Sequence, residues 1–521
     1  MYEQPVEGAT TSQREEVITR TLLPKLAQVS AADAGEKAII RALFDGLERH
    51  EMRYCHWKSN VRLQDTLAGR EDIDILVDPR DAEIFLDVLL DTGFRLTQSG
   101  FGYGHPGVIH ALGLDHDTAE LCDVHAYFQI VSGDSMVKSY RLPIERDLLA
   151  RCRVLHGVRV PEPAAELAVF VIRIILKHVT AFEVRKCNRH YDKVVPELEW
   201  LLAQCRRDDA AALCTAWFPA IDRPLFDAMI SAVADPDAVA MRKQLGRQVA
   251  RRLRPLRRLS ETAAQVSRLT RLYAVLERRR SGRRGLSLLT GGAIVALVGP
   301  KGTGKSTLGR EVAKRLGRYL AVRRIHAGKP PASPLSWMPL KLRPLLRAAM
   351  PGERPREQRK IRQRKQGRIS LVYAVQRLLL AHDRRRLLRS AARDAASGSI
   401  VISDRYPSPT PGATDSSEFD AATVESTPSP TTRRLMERER TVYATLPKPD
   451  LVIRLSAPLE TAIVRDAERH KPAGPNAEAV RQRWWFESLG EFPGAELVQI
   501  DTDGPLDETV RAVVRAVWRA L

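Results

Sequence analysis

Residues 293–308 read Ala-Ile-Val-Ala-Leu-Val-Gly-Pro-Lys-Gly-Thr-Gly-Lys-Ser-Thr-Leu. The apolar run at the start predicts a buried strand, and the glycine-rich segment after it fits the frame G-x-x-x-x-G-K-[ST]. The residues at the fixed positions of that frame are Gly299, Gly304, Lys305 and Ser306. Glycines let backbone N–H groups turn toward an anion with no Cβ in the way. The helix predicted over about Lys305–Leu316 adds the positive end of its dipole, so the stretch predicts a phosphate-binding loop.

This loop predicts a nucleotide site that takes ATP and Mg²⁺. We expect the Lys305 ammonium to reach the β- and γ-phosphates and the Ser306 hydroxyl to ligate Mg²⁺. The residues predicted to bind ATP are Gly299, Gly302, Thr303, Gly304, Lys305, Ser306 and Thr307.

The composition places the chain among globular proteins. It has 521 residues, of which 44% are hydrophobic and 28% charged, so we expect several domains. No apolar run reaches the length of a membrane span, and residues 1–16 lack the apolar core of a signal peptide. Six cysteines without a C-x-x-C pair favour a reduced, cytoplasmic protein with neither a disulfide framework nor a zinc site.

The chain is strongly basic, with a net charge of +20 from 83 Lys and Arg against 63 Asp and Glu. This balance favours anionic partners, although solvated arginine-rich surfaces account for most of the excess. Arginine is dense at helical spacing in residues 241–284, which predicts a basic helical connector over residues 236–285. Nucleic acid or lipid headgroups could contact this connector, but a solvated linker is the favoured interpretation. The sequence leaves the oligomeric state open.

From residue 286 onward, apolar strands alternate with helices. The predicted strands are Ala293–Val298, Leu320–Ile325, Ser399–Ser403, Leu451–Leu455 and Glu496–Ile500. Apolar strands separated by helices are typical of a parallel sheet covered on both faces, so we expect a doubly wound α/β fold. Two segments interrupt the pattern and predict flexible insertions: residues 329–368, rich in Pro and then Arg, and residues 407–432, rich in Pro, Ser and Thr.

The strand at residues 399–403 runs into Asp404-Arg405-Tyr406. An acid at the carboxyl end of a strand beside the loop can hold Mg²⁺ or orient an acceptor, and Arg405 can neutralise an acceptor phosphate. Three further arginines stand on predicted helices: Arg384, and the pair Arg465 and Arg469, which share one helix face.

In these residues the chain resembles the thymidylate kinase family of nucleoside monophosphate kinases, over roughly residues 290–521. The resemblance implies a P-loop kinase that moves the γ-phosphate of Mg-ATP to a nucleoside monophosphate or another small acceptor. The catalytic residues that it implies are Lys305, Asp404, Arg405, Arg465 and Arg469, the last two on a closing lid. It also implies acceptor binding by Arg384, Arg405 and Tyr406, and Mg²⁺ binding by Ser306 and Asp404. The family's Arg-Glu-Pro segment and its base-reading residues are replaced here, so the identity of the acceptor stays open.

In the front half, Asp72 and Asp74 flank Ile73 ahead of an apolar run. On a strand, both carboxylates would point to one face, which is costly unless they are solvated, paired or bound to cations. Asp123 can add a third carboxylate from a neighbouring strand, and three acids can hold two Mg²⁺ ions for nucleotidyl transfer.

The front half resembles the nucleotidyltransferase superfamily with the polymerase-β-type core, over about residues 35–230. The resemblance implies an α+β domain with a helical extension, in which Asp72, Asp74 and Asp123 bind metal. Lys58 and Ser59 stand where the superfamily has Gly-Ser and are expected to touch the triphosphate. An inactive, retained fold is the alternative.

The predicted organisation has four parts: a leader at residues 1–34, a nucleotidyltransferase-like domain at 35–235, the connector at 236–285 and a thymidylate kinase-like domain at 286–521. An ATP-dependent phosphotransferase is the favoured function, with ATP and a small molecule as partners. The alternatives are a nucleotide-binding regulatory protein with an inactive front domain, and a nucleic-acid modifying enzyme that uses the connector.

Overall fold

The computed structural model describes residues 35–99, 104–281, 285–333, 336, 369–410, 413, 415–467 and 491–521. The predicted leader, most of the insertion at 329–368, and Arg469 lie outside these residues. The chain divides into two compact units. The front unit runs up to Phe94 and includes His105–Asp117 and Leu121–Arg271, and the rear unit is Leu272–Leu521 with Arg95–Gly104 and Thr118–Glu120. The predicted domain boundaries stay predictions.

Strands and helices are numbered in chain order over the described residues. The strands are β1 Tyr54–His56, β2 Ile73–Val77, β3 Phe94–Ser99, β4 Val108–Asp115, β5 Glu120–Tyr127, β6 Ile130–Ser132, β7 Tyr140–Leu142, β8 Cys152–Leu155, β9 Val158–Pro161, β10 Leu286–Leu288, β11 Ile294–Val298, β12 Val322–His326, β13 Ile400–Asp404, β14 Leu451–Ser456 and β15 Glu496–Asp501. The helices are α1 Ala38–Arg49, α2 Leu63–Leu67, α3 Ala82–Asp91, α4 Glu145–Ala150, α5 Pro163–Lys177, α6 Ala181–Arg189, α7 Val194–Leu202, α8 Arg207–Trp217, α9 Arg223–Ala234, α10 Val239–Arg252, α11 Glu261–Ser281, α12 Lys305–Leu316, α13 Leu371–Ala396, α14 Ala421–Glu425, α15 Pro430–Ala444, α16 Leu459–Ala467 and α17 Leu506–Arg519. None of these helices combines the length and the apolar content that crossing a bilayer requires.

In the front unit, four strands lie side by side in the order β1-β2-β5-β4. β1 is antiparallel to β2, and β2 is parallel to β5 with Asp74 opposite His125. All five residues of β2 are buried, as its apolar run predicts. Asp72 lies one residue before β2, so only one of the two predicted strand carboxylates is inside the strand.

Helix α5 is the centre of the helical part of the front unit. Pro163 occupies its first turn, where a missing N–H group removes no helix hydrogen bond. Apolar residues then continue almost without interruption from Leu167 to Leu176. A helix that is apolar on all sides is buried on all sides, and α7, α8, α9 and α10 pack around this one.

Helix α10 packs on α5, although it belongs to the predicted basic connector. Leu245 and Val249 are buried in the same apolar cluster as α5. Arg242 is buried beside them, and its guanidinium donates to the carbonyl oxygens of Ala232 at 3.0 Å and Pro236 at 2.9 Å. Arg242 differs in this from Arg247, Arg251, Arg252 and Arg254, which are exposed as the prediction of a solvated stretch requires. A guanidinium whose hydrogen bonds are satisfied can be buried.

The rear unit contains a five-stranded sheet in the order β12-β13-β11-β14-β15, and every neighbouring pair is parallel. The predicted mixed α/β fold with a parallel sheet is confirmed, and so are its five strands. β12 begins at Val322 rather than at Leu320. The reason is that the N–H of Leu320 still donates to Leu316 at the end of α12, and the N–H of Ala321 donates to Leu286.

Helices cover both faces of this sheet. Side chains alternate along β11, so Ile294 and Leu297 face opposite sides. Ile294 packs in one cluster with Leu388 of α13. Leu297 faces α12, where its side chain lies 3.3 Å from the position that a Cβ on Gly309 would take. The glycine-rich loop leaves the sheet at the carboxyl end of the middle strand, the edge at which ligands bind in sheets of this kind.

Glu166 of α5 is a buried carboxyl group whose protonation state affects the stability of the front unit. Its carboxylate accepts the backbone N–H of Asn60 at 3.2 Å and the Asn60 side-chain amide at 2.8 Å. Burial outweighs these hydrogen bonds and raises the pKa of Glu166 to about 8. The folded state therefore keeps a proton that the unfolded chain releases near the ordinary glutamate pKa of 4.5.

We expect the free energy of unfolding to fall as the pH rises from about 4.5 to about 8, because the folded state binds more protons over that range. Glu166→Gln, which has the shape of the protonated acid, should remove this slope and stabilise the protein by several kcal/mol above pH 8. Urea unfolding between about pH 5 and about pH 8.5 measures the effect. Glu199→Gln, at an exposed position, is the control and should keep the slope. An unchanged slope in Glu166→Gln would show that Glu166 is ionised in the folded protein.

Candidate active site

The glycine-rich loop connects β11 to α12 in the conformation that phosphate binding needs. Gly299, Gly302 and Gly304 all have left-handed backbone, with φ of 134°, 97° and 79°. Gly304 is the N-cap residue, so α12 begins at Lys305, as the sequence predicts. The first turn of a helix carries N–H groups without intrahelical partners, which is the feature that attracts anions to helix N-termini, and phosphate binding at this end of α12 stays a prediction.

Close packing fixes the path of the loop. A Cβ on Gly299 would lie 2.3 Å from the carbonyl oxygen of Leu455 on β14, and a Cβ on Gly302 would lie 2.5 Å from that of Ala462 on α16. Backbone atoms cannot move aside as a flexible side chain can, so both positions require glycine. The buried Thr303 hydroxyl donates to the carbonyl oxygen of Pro300 at 2.8 Å and closes the turn.

Lys305 lies across the loop. Its ammonium donates to the carbonyl oxygens of Gly299 at 2.6 Å and Pro300 at 2.7 Å. A phosphate group at this place would offer the ammonium a charged acceptor in place of these two neutral carbonyl oxygens. Thr307, the last residue of the predicted ATP-binding set, is in the first turn of α12, where its N–H donates to Gly304 at 3.0 Å.

Asp404 ends β13 directly beside the loop, opposite Leu297 of β11. Its Oδ1 would lie 2.6 Å from a Cβ on Gly309, so the absence of that Cβ lets the carboxylate rest on α12. Oδ2 accepts from Arg324 at 3.4 Å, and the buried Oδ1 has no hydrogen-bond partner among the described residues. An unsatisfied buried carboxylate oxygen is costly, and a bound cation would satisfy it. Ser306 stands three residues before Gly309 on α12, so a carboxylate and a hydroxyl, both suited to Mg²⁺, flank this helix end.

A single carboxylate joins the two arginines predicted to bind the acceptor. Asp415 Oδ1 accepts from Arg384 at 3.2 Å, and Asp415 Oδ2 accepts from Arg405 at 3.3 Å. Arg384 is only 2% exposed, and it also donates to the Ala327 carbonyl oxygen at 2.7 Å and to the Tyr443 hydroxyl. Arg405 has a φ of 75°, a conformation that costs a non-glycine residue on the order of 1 kcal/mol. The two arginines therefore share a carboxylate of the protein itself, and acceptor binding by them stays a prediction.

Tyr406 lies in the wall of a cavity beside this pair. Its hydroxyl donates to the Pro447 carbonyl oxygen at 2.6 Å, and burial raises the pKa of Tyr406. The cavity has a volume of about 570 Å³, and Tyr443, the partner of Arg384, also lines it. This volume is within the range of small-molecule sites.

The predicted lid arginines are not joined to this group by the described contacts. The Arg465 guanidinium donates to the Thr502 carbonyl oxygen at 2.9 Å. Helix α16, which carries Arg465, nevertheless touches the loop through Ala462. Because Arg469 lies outside the described residues, the lid stays a prediction.

In the front unit, His125 lies between the two buried carboxylates of the predicted metal site. Its Nδ1 is 3.5 Å from Asp74 Oδ1, and its Nε2 is 3.3 Å from Asp123 Oδ2. The Lys58 ammonium is 2.8 Å from the same Asp74 oxygen. Burial alone would raise the pKa of Asp74, but Lys58 and His125 outweigh it and hold that pKa well below its ordinary value. Burial alone would lower the pKa of His125, but the two carboxylates raise it well above its ordinary value.

A cation at this place must therefore compete with positive charges that the protein already supplies. The third predicted ligand, Asp72, is exposed. One ligand atom each from His110, Asp123 and His125 lies within 4.8 Å of the others, which offers a second donor set. Ser59 adopts a left-handed φ of 61°, in the place where the superfamily has Gly-Ser. Metal binding by Asp72, Asp74 and Asp123, and phosphate contact by Lys58 and Ser59, stay predictions.

Three residues of the rear site were missed at the sequence level: Arg324, Asp415 and Tyr443. Asp415 stands in the segment 407–432, whose composition predicts a flexible loop, and nothing in that composition distinguishes it from the other acids nearby. Tyr443 reaches Arg384 from α15, a helix that carries no recognisable motif. The one indication in the sequence was the number of arginines predicted at the acceptor site and on the lid, because so much positive charge calls for a carboxylate nearby. These arginines are Arg384, Arg405, Arg465 and Arg469.

The loop geometry leads to a direct test. Gly302→Ala should weaken ATP binding at least about tenfold, because its Cβ would meet the Ala462 carbonyl oxygen and the backbone would be strained. Titration with a fluorescent ATP analogue measures the change. Gly504→Ala is the matched control, because no heavy atom lies within 4 Å of its Cβ position. Wild-type affinity in Gly302→Ala would rule out this loop as the nucleotide site.

No protein-family model matches the sequence, and no curated protein is significantly similar to it. Among solved structures, a sugar kinase from Janibacter sp. HTCC2649 in its unliganded form is similar at 13% identity and a TM-score of 0.22, with 43% of this chain and 94% of that chain covered. Thymidylate kinase from Candida albicans is similar at 16% identity and a TM-score of 0.25, with 43% of this chain and 90% of that chain covered. At these TM-scores, the two likenesses assign neither a substrate nor an activity to this chain.

Proposed function

We propose that the rear unit is an ATP-dependent phosphotransferase that moves the γ-phosphate of ATP to a small acceptor. The proposal rests on three features that lie together near the N-terminal end of α12. They are a loop whose packing requires glycine at two positions, the Lys305 ammonium, and the Asp404 oxygen that has no hydrogen-bond partner among the described residues. Phosphoryl transfer needs little beyond alignment and charge compensation, and these groups supply both.

Each group of residues in the rear site has a separate role, which its position determines. The loop N–H groups and the Lys305 ammonium hold the phosphates, while the Ser306 hydroxyl and the Asp404 carboxylate hold Mg²⁺, which supplies Lewis-acid charge compensation. The acceptor oxygen forms a bond to the γ-phosphorus as the bond from that phosphorus to the bridging oxygen of ADP breaks. A phosphate oxygen of a nucleoside monophosphate carries no proton to lose near neutral pH, and a sugar hydroxyl would release its proton to water.

The acceptor binds at the Arg384–Arg405 pair, with its uncharged part in the cavity that Tyr406 and Tyr443 line. Asp415 presents to both arginines a negative charge, as an acceptor phosphate would. We infer that an anionic acceptor, such as a nucleoside monophosphate or a phosphorylated sugar, displaces Asp415 when it binds. Arg384 and Arg405 then contact the acceptor phosphate instead of the Asp415 carboxylate.

A regulatory nucleotide-binding protein and a nucleic-acid modifying enzyme are the other candidates. The first predicts stoichiometric ATP binding without turnover. The second predicts salt-sensitive binding of RNA or DNA that is lost when the arginines of the basic connector are neutralised. For the front unit, nucleotidyl transfer requires that a metal ion displace Lys58 or His125 from the carboxylates.

Lys305→Ala should lower the rate of acceptor-dependent ADP formation about a hundredfold or more, because a charge aimed at the transferring phosphate is lost. The measurement uses labelled ATP with a panel of monophosphates and sugar phosphates. Lys314→Ala, at an exposed position near the end of the same helix, is the control and should turn over as wild type does. Equal rates for Lys305→Ala and wild type would contradict the proposal.

Asp415→Asn should lower KM for an anionic acceptor about tenfold, because a competing charge is removed from both arginines. The KM for ATP should stay unchanged. Glu425→Gln removes a charge at an exposed position of α14 and should leave both constants as they are. A rise in KM in Asp415→Asn would instead mean that Asp415 binds the acceptor, which would then be a neutral hydroxyl compound.

A further inference from the structure

Helix α11 carries a row of apolar side chains that face solvent. Val266, Leu269, Tyr273 and Leu276 follow one another at intervals of three, four and three residues, so they share one face of the helix. We call these four residues the apolar stripe. Each of them is between 57% and 69% exposed. Proteins that stay monomeric rarely expose a continuous apolar face, so the stripe indicates a binding surface.

The apolar stripe points away from the contacts that α11 makes with its own chain. Ala264 and Ala274 are the buried residues among the described side chains of α11. At about 100° per residue, both alanines lie on the side of the helix opposite the stripe. Arg268 lies between the two sides, and its guanidinium donates to Asp134 at 2.8 Å. The attachment of α11 to the chain therefore leaves the stripe open.

The spacing of the apolar stripe fits a second helix. Apolar residues that alternate at three and four residues form the seam of a coiled coil. The spacing is also symmetric about Arg271, since it reads the same in both directions. A second copy of α11, antiparallel to the first with a two-fold axis at Arg271, would place Val266 opposite Leu276 and Leu269 opposite Tyr273. Each pair would then occur twice, as a closed two-fold interface requires.

The charges at the two ends of α11 favour the same arrangement. The helix begins at Glu261 and carries the exposed Arg280 near its end. Antiparallel pairing about Arg271 brings Glu261 of each copy next to Arg280 of the other and opposes the two helix dipoles. Glu261 contacts Arg257 at 2.9 Å, yet its side chain is 82% exposed and can accept a second guanidinium. Parallel pairing would instead set Arg280 against Arg280.

An anionic membrane fits the apolar stripe less well than a helix does. A helix that lies on a membrane carries basic residues on its polar side, next to the apolar face. In the middle of α11, Gln265 and Leu272 occupy one border of the stripe, and Thr270 and Glu277 occupy the other. These residues offer no positive charge to lipid headgroups.

We propose that two copies of this chain associate through their apolar stripes, with the two α11 helices antiparallel about Arg271. The stripe extends over about 15 Å, because each residue adds about 1.5 Å to a helix. An interface of this size is small, so we expect a dimer with a dissociation constant on the order of 10 μM. The proposal does not depend on phosphotransfer by the rear unit.

Sedimentation equilibrium of the full chain measures the association. As the concentration rises from about 1 μM to about 200 μM, the mass should rise from that of one chain toward that of two. Leu269→Asp should raise the dissociation constant at least about tenfold, because a carboxylate would be buried opposite Tyr273 of the second copy. Leu90→Asp is the matched control, because Leu90 is a 51% exposed leucine on α3, and it should dimerise as the wild type does.

Disulfide cross-linking measures the direction of the pair. A mixture of Leu269→Cys and Tyr273→Cys chains, oxidised with glutathione disulfide, should form an interchain disulfide well above the wild-type background. Either variant alone should stay near that background, because antiparallel pairing keeps identical positions apart. Strong cross-linking of each variant with itself, as parallel helices allow, would contradict the antiparallel arrangement.

Three results would overturn the proposal as a whole. The first is a wild-type chain that stays monomeric at about 200 μM, or a Leu269→Asp chain that dimerises as the wild type does. The second is a lower melting temperature for Leu269→Asp at about 1 μM, where the chain is monomeric, which would show that another segment of the same chain covers the stripe. The third is wild-type binding to phosphatidylserine vesicles that Leu269→Asp abolishes, which would identify a membrane as the partner.

Discussion

Backbone packing around residues 299–304 is the constraint on which the rear site depends. The loop passes so close to Leu455 and Ala462 that a single Cβ would collide with a carbonyl oxygen at two of its positions. The sheet adds a second constraint, because the pairing of Leu297 with Asp404 sets which acid stands beside α12. A slip of one residue would turn the Asp404 carboxylate to the other face of the sheet. The N-terminal end of α12 and the Asp404 carboxylate beside it are thus positioned by backbone geometry rather than by flexible side chains.

The two units pair the charges of their candidate sites differently. In the rear unit, one carboxylate, Asp415, contacts both Arg384 and Arg405. In the front unit, Lys58 and His125 contact Asp74, and His125 also contacts Asp123. A ligand at either place must displace an internal partner, and this cost favours selectivity over affinity.

Features that depend on local sequence were predictable, and features that depend on distant contacts were not. The glycine frame fixes the loop and the first residue of α12, and apolar runs fix the five strands of the rear sheet. The late start of β12 depends on Leu286, which lies more than thirty residues upstream. Arginine composition indicated a solvated connector, yet α10 buries Arg242 because backbone carbonyl groups happen to surround its guanidinium. Asp415 and its two arginines likewise come together only in the folded chain, so their charges could be counted in the sequence but not paired.

The strand order also determines how long β11 waits for its partner strands during synthesis of the chain. Ile294 of the middle strand pairs with Val401, and Val295 pairs with Leu451, so both neighbours of β11 are made about 100 to 150 residues after it. As the polypeptide leaves the ribosome, β11 therefore emerges long before either of its hydrogen-bonding partners exists. During that interval an apolar strand with two open edges is exposed to other chains. The middle of the rear sheet therefore cannot form until β13 and β14 have both been made, and its unpaired edges are open to aggregation until then.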